Sequence, residues 1–294
     1  MQGLMVGFDV TRPDDLDGAL AAIAEGGPGT KVLAGGTDLL IQLRFGVIHP
    51  TVIVDLSGVV SLRTLRLDDA GDLRIGAGTT VSAVELSPDV SSQFLCLRES
   101  AEQLGSRQIR NTATVAGNVC HSSPSAEFAP PLIALGAEAQ IRSLTGDRTV
   151  AMEDFAVGPG QNILEAGEML TEIRVPAQAG RTGAAYDCLK IRKLMDIAIV
   201  SAAASVTLDA DGNCASVRLV LGAVAAVPVR ATRAEDMLRG HRLTPDLLHA
   251  AAVVAGSEAK PITDVRATRE YRQAMIVRSA LRALSTADER ARAA

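Results

Sequence analysis

The hydrophobic pattern of the chain changes period near residue 60, and this divides it into regions that cannot belong to one regular sheet or bundle. Before that point, "DDLDGALAAIAEG" (14–26) places Leu16, Ala19, Leu20 and Ile23 on one helical face, with acids in the first turn and a closing glycine. A short strand, "TKVLAGG", follows it, and "TVIVDLSG" (51–58) is a second short β-branched run closed by Ser-Gly. Strand, helix, strand predicts a small lobe of parallel strands with crossover helices. Beyond it, "LRTLRLDDAGDLRIGAGTTVSAVE" (62–85) alternates apolar and polar residues through an Asp-Ala-Gly-Asp turn and ends in a Thr-Thr-Val-Ser helix start. A helix over 96–105 follows, then a Gly/Asn/Ser/Pro-rich stretch over 111–131. "AEAQIRSLTGDRTVAMEDF" (137–155) repeats the hairpin signature, and a strand over 168–178 ends at a proline. This is a second lobe, richer in antiparallel strands.

Residues 176–185, "PAQAGRTGAA", have the composition of a linker. A third unit follows, with a hairpin around Asp209-Ala210-Asp211-Gly212-Asn213 and helices to the end. The last ten residues, "STADERARAA", read as a frayed helical tail. The expected class is α+β: a two-lobed domain over residues 1–177 (lobes 1–60 and 61–177), then a smaller α+β domain over 178–294. A length of 294 residues suits such a division.

Composition narrows the function. The apolar share is 47% but aromatics are 2%, with no Trp, so Ala, Val, Leu and Ile must build the core. A net charge of −5 with scattered Lys and Arg gives no footprint for nucleic acid or anionic lipid. No apolar run is long enough to span a membrane, and "MQGLMVGFDVTRPDD" lacks the pattern of an export signal, so the expected location is the cytoplasm. Cys96, Cys120, Cys188 and Cys214 contain no CxxC pair, which argues against zinc or an iron-sulfur cluster within the chain and for buried free thiols.

Two stretches carry chemistry. In "KVLAGGTDLL" (31–40), Gly35 and Gly36 can take unusual backbone angles and admit a ligand against the main chain. The next residues present free N–H groups at a helix start, a cradle for phosphate. The spacing is neither GxGxxG nor GxxxxGK[ST], and "GGPGTK" (26–31) also fails the latter, so an ordinary turn remains the alternative. The second stretch, residues 107–138, reads as a long loop carrying Asn111, Thr112, Thr114, Gly117, Asn118, His121, Ser122, Ser123, Pro124 and Glu127 before an apolar helix. Backbone donors and neutral side chains suit a pyrophosphate, and Glu127 can accept from a ribose-like or ribityl hydroxyl. His121 reads as a contact to a bound cofactor rather than a general base, since neither a nucleophile motif nor a metal cluster accompanies it. Lys190, Arg192 and Lys193 in "CLKIRKLMDIAIVSAA" are either a solvated turn or cations facing a phosphate or the pyrimidine edge of a reduced flavin.

In this order and spacing, "KVLAGGTDLLIQL" and "IRNTATVAGNVCHSSPSAEFAP" resemble the two flavin loops of the FAD-binding medium subunits of the molybdenum hydroxylases, the family of xanthine and carbon monoxide dehydrogenases. "MLTEIRVP", "RKLMDIAIVSAA", "RLVLGAVAAVPVRA" and "VRATREYRQAMIVRSALRAL" extend the resemblance over nearly the whole chain. It implies that Lys31, Val32, Leu33, Ala34, Gly35, Gly36, Thr37 and Asp38 wrap the pyrophosphate and adenosine side of FAD. Thr114, Val115, Gly117 and Asn118 supply further backbone contacts, Ala116 standing where the family has the first of two glycines. His121 and Ser123 are further contacts in a pattern (His121, Pro124, Glu127, Pro130) similar to the carbon monoxide dehydrogenase branch. Glu127 holds the place of a family carboxylate near the polar chain of the flavin, and Leu170 lies beside the ring system. Cys188 replaces a family lysine, whose role passes to Lys190 or Arg192.

The resemblance further implies no catalytic or metal-ligating residue in this chain. A large partner subunit holds the molybdenum cofactor, a small one holds two-iron two-sulfur clusters, and the FAD here passes electrons to NAD, a quinone or oxygen. The alternatives are a stand-alone flavoenzyme of the same superfamily, for which Tyr186 and Tyr271 offer no recognisable catalytic motif, and a non-catalytic scaffold in which the glycines are only turns.

Overall fold

The computed structural model describes residues 7–294, so the first six residues of the stretch read for an export signal lie outside it. The first lobe contains β1 (Asp9–Thr11), α1 (Leu16–Gly26), β2 (Thr30–Leu33), α2 (Leu39–Arg44) and β3 (Val52–Asp55). Asp15 caps α1 by accepting from the Gly18 N–H at 2.8 Å, and Ala19, Leu20 and Ile23 form its buried face. The three strands pair in the order β1-β3-β2, each contact parallel.

The second lobe begins with the hairpin β4 (Leu65–Leu67) and β5 (Leu73–Gly76). Six short helices follow: α3 (Val81–Leu86), α4 (Pro88–Gln93), α5 (Leu95–Gln103), α6 (Arg107–Arg110), α7 (Val115–His121) and α8 (Ala129–Ala134). The hairpin β6 (Glu138–Ser143) and β7 (Gly146–Ala151), the small pair β8 (Ala156–Gly158) and β9 (Gln161–Asn162), and β10 (Met169–Val175) complete it. β10 inserts between the two hairpins, giving a five-stranded antiparallel sheet β4-β5-β10-β6-β7. Buried Asp72 ties this assembly by accepting from Arg174 Nε at 2.6 Å and from the Ala177 N–H at 2.8 Å.

The C-terminal part contains β11 (Thr182–Leu189), β12 (Val200–Leu208), β13 (Cys214–Gly222) and β14 (Val229–Arg230), an antiparallel sheet in chain order. Helices α9 (Thr232–Leu238), α10 (Pro245–Glu258) and α11 (Arg269–Ala293) follow. Alternate residues of β12 serve two cores: Val200, Ala202, Ala204 and Val206 pack with α11, while Ala203 joins Tyr186 and Val220 in the core of the first two lobes. Burial on both faces removes the alternation expected of a half-exposed strand.

Two expectations are corrected here. Residues 107–138 are not one long loop. Ser106 accepts from the Ile109 N–H at 3.4 Å and Thr114 from the Gly117 N–H at 3.0 Å, and these caps start α6 and α7 within the polar stretch. Nor is the C-terminal tail frayed. α11 continues to Ala293 because Ala287 and Ala291 are fully buried against β11, where a Cβ on Gly183 would stand 2.2 Å from the Ala287 carbonyl oxygen. Arg290 secures the same end by donating to Ala184 O at 2.6 Å and pairing with Glu99.

Candidate functional site

Between the parallel lobe and the antiparallel lobe lies a cavity of about 660 Å³, within the range of small-molecule and cofactor sites. One wall is the turn from β2 into α2. Lys31, Val32, Ala34, Gly35, Gly36, Thr37 and Asp38 all line it, whereas Leu33 does not. The backbone N–H groups of Gly35, Gly36, Thr37, Asp38 and Leu39 have no acceptor among the described residues. Backbone hydrogen bonding resumes only after them, with the Leu40 N–H donating to Gly36 O at 3.1 Å. A run of free donors that begins at two residues without side chains suits an anionic group.

The two glycines act differently. Gly36 has φ of +70°, the left-handed region that glycine enters without strain. Gly35 is required by the protein itself: a Cβ there would lie 2.2 Å from the Thr112 carbonyl oxygen and 2.8 Å from Ala113 Cα. Thus the first loop rests on the backbone of the second, and the space expected for a ligand over Gly35 is taken in part by residues 112–113.

The opposite wall is α7 and the turn after it. Thr114, Gly117, Asn118, His121 and Glu127 line the cavity. The Val81 N–H donates to Ala113 O at 2.8 Å and the Val115 N–H to Thr79 O at 3.2 Å, which fixes where α7 starts. Val115 is fully buried in the core and Ser123 accepts from the Ser125 N–H at 3.2 Å; neither side chain reaches the cavity. His121 Nδ1 stands 2.9 Å from Asp38 Oδ2 and joins the two walls at a half-exposed edge.

Glu127 is the buried carboxylate of the site. Asn118 Nδ2 donates to its Oε2 at 3.4 Å, Lys190 Nζ lies 3.2 Å from its Oε1, and Ser100 Oγ donates to its carbonyl at 2.9 Å. Burial pushes the carboxyl above its usual range and the Lys190 ammonium pulls it back. Lys190 itself does not line the cavity, and Arg192 faces outward to Asp196 at 3.6 Å. Of the basic trio, only Lys190 meets a cavity residue, and it does so from behind.

Leu170 lines the cavity from β10, beside a ladder irregularity between Leu170 and Glu172. Sequence reasoning missed the residues that complete the enclosure: Gln42, Ile48, Leu56, Leu104, Gly105, Asn162, Leu164 and Glu168. They come from five separated segments, and only their predicted places at element ends could have pointed to them. Asn162 Nδ2 donates to Cys120 O at 2.8 Å, and Glu168 accepts from Arg148 Nε and Nη2, both at 2.7 Å. Cys120 also lines the cavity, but burial raises its thiol to about 12, so it is inert there. Among the described residues no group of three or more His, Cys, Asp or Glu is placed to hold a metal ion, and no helix is long and apolar enough to cross a membrane.

The model of the FAD binding domain in molybdopterin dehydrogenase matches residues 6–178, and that of the CO dehydrogenase flavoprotein C-terminal domain matches residues 184–287. The chain belongs to the FAD-binding medium subunits of the molybdenum hydroxylases. This medium subunit is 32% identical over 285 residues to the 6-hydroxypseudooxynicotine dehydrogenase complex subunit alpha of Paenarthrobacter nicotinovorans, covering 97% of this chain and 96% of that protein. It is also 32% identical to the carbon monoxide dehydrogenase medium chain of Hydrogenophaga pseudoflava over 95% of this chain and 96% of that one. A solved carbon monoxide dehydrogenase structure from the same organism superposes with a TM-score of 0.93 at 31% identity, covering 98% and 99% of the two chains. The expected fold class, FAD as the cofactor and membership of an oxidoreductase family all stand on these matches.

Proposed function

We propose that the medium subunit carries FAD in the cavity between its lobes, takes electrons from iron-sulfur clusters in a small partner subunit and passes them to an external acceptor. A large partner subunit holds the molybdenum cofactor at which the organic substrate is oxidised. The observation that carries the reading is the meeting of both glycine-bearing segments on one cavity with unused backbone donors on one wall and a buried carboxylate on the other.

The residues fit the cofactor group by group. The free N–H groups from Gly35 to Leu39 would bind the anionic pyrophosphate, the one carboxylate among them, Asp38, being turned to His121 Nδ1 at 2.9 Å. Glu127, held by Asn118, accepts from a hydroxyl of the ribityl chain. Leu104, Leu164, Met169 and Leu170 give an apolar surface to the ring system and exclude water from it. When bound, FAD supplies a centre that takes electrons singly and gives them up in pairs, and the chain contributes placement and electrostatics. Residues 1–177 hold the cofactor and 178–294 back it, with the whole complex in the cytoplasm. The acceptor is NAD, a quinone or oxygen.

The test is an absorption spectrum of the tagged protein purified from its host, with metal analysis and identification of copurifying chains. Flavin bands with iron, molybdenum and two further polypeptides support the reading. Flavin on a lone, metal-free chain moves the substrate site into this subunit, and a folded chain that takes up no FAD leaves only a scaffold.

A further inference from the structure

Lys190 follows β11 in the C-terminal part, yet its side chain is only 4% exposed and is directed at the FAD-binding part. Its Nζ donates to the carbonyl of Gln103, at the end of α5, and to Glu127 Oε1 at 3.2 Å. Glu127, 12% exposed, is in turn the residue that lines the cavity. Its other oxygen accepts from Asn118 Nδ2, while Asn118 Oδ1 accepts from the Phe128 N–H at 3.2 Å, so the carboxylate is held from both sides. A lysine and a glutamate are seldom this buried unless paired, and here the pair spans the two parts of the chain. Arg192 and Lys193 are exposed and stand apart from this cluster.

We infer that Lys190 is a positioning residue for the cofactor: from outside the cavity it orients the Glu127 carboxylate as the acceptor for a hydroxyl of bound FAD, so that the C-terminal part sets the affinity of a site it does not line. The inference rests on the assignment of FAD to this cavity. An ammonium fixed to a carbonyl on one side pins one carboxylate oxygen and leaves the Asn118-bound oxygen turned by the same contact, which makes the acceptor geometry independent of the ligand. Without that cation the carboxyl is buried with a single amide partner and loses both its charge balance and its orientation.

The experiment is a double-mutant cycle read by FAD affinity, using full-length protein stripped of flavin and titrated with FAD by fluorescence quenching. The variants are Lys190→Met, Lys190→Arg, Glu127→Gln and the Met/Gln double mutant, each checked for folding by circular dichroism and thermal unfolding. Lys190→Met weakens FAD binding by about tenfold or more in the wild-type background and by less than about twofold when Glu127 is already Gln. Lys190→Arg, which keeps a cation opposite Glu127, retains affinity within about threefold. The double mutant carries no unpaired buried charge, so it folds even if Lys190→Met alone does not, and its affinity matches that of Glu127→Gln. An equal loss from Lys190→Met in both backgrounds, or no loss in either, overturns the positioning role while wild-type FAD binding upholds the site. Wild-type protein that binds no FAD overturns the site assignment itself and the inference with it.

Discussion

The two walls of the cavity are built by opposite means. The wall from Ala34 to Asp38 is mostly backbone: its donors from Gly35 on are free, residues 34–37 are half-buried, and its shape depends on Gly35 lying against Thr112 and Ala113. The wall from Thr114 to Glu127 is held by side chains, through the Thr114 cap, the paired contacts of Asn118, and Lys190 behind Glu127. The difference teaches that one wall tolerates no added atom at Gly35, where it rests on Thr112 and Ala113, and the other almost no lost hydrogen bond. A diphosphate asks for many weak donors in a fixed curve, whereas a single hydroxyl asks for one well-aimed acceptor.

The largest effect is expected where an added atom meets backbone rather than side chain. Gly35→Val forces a Cβ into the Thr112 carbonyl and is expected to lose FAD and about 2–4 kcal/mol of stability, read by flavin content and chemical denaturation. Gly36→Ala meets side chains alone, Leu33 at 2.8 Å and Leu40 at 3.2 Å, and an unfavourable φ, so its cost is expected near 1 kcal/mol with FAD retained. Equal costs for the two would break the comparison. On the other wall, Asn118→Ala removes the acceptor of the Phe128 N–H and the donor to Glu127, for an expected loss of about 1–3 kcal/mol in denaturation and a weaker FAD titration. Thr114→Ala deletes one helix cap, with about 1 kcal/mol expected in the same denaturation assay and affinity changed less than in Asn118→Ala.

A smaller effect depends on pH. Hydrogen bonds from Arg148 hold the Glu168 carboxyl below its usual value of 4.5 in the folded chain. A depressed folded value means that Glu168 contributes stability above about pH 4.5 and that this is lost as pH falls through the folded value. Arg148 is more than a third exposed, so solvent screening keeps the contribution to about 1 kcal/mol or less. Wild type and Glu168→Gln are therefore expected to differ in denaturation midpoint at pH 7 and to converge as pH falls through the folded value, and a gap that does not narrow on acidification below pH 4.5 would contradict the pairing.

Much of this was legible in the chain. The Asp-Ala-Gly-Asp, Thr-Gly-Asp and 209–213 turns do lie between paired antiparallel strands, and the strand-helix-strand opening does form the parallel lobe, because each depends on neighbouring residues. The caps of α6 and α7 were hidden because Ser and Thr in a polar stretch read equally well as loop. Gly35 was legible as special, but its contact lies some 77 residues away in sequence at Thr112, which local pattern cannot supply. Lys190 resembled its exposed neighbours Arg192 and Lys193; its burial is set by packing of α5 and of the segment before α8 onto the end of β11.

The most direct measurement is the flavin released by heat from purified wild-type and Gly35→Val protein, identified and counted per chain after incubation with excess FAD. One equivalent of FAD per wild-type chain and little in the variant is the expected result. Folded wild-type protein that releases no FAD, or a folded Gly35→Val chain that still holds one equivalent, would contradict the account of a cavity whose backbone wall binds the diphosphate.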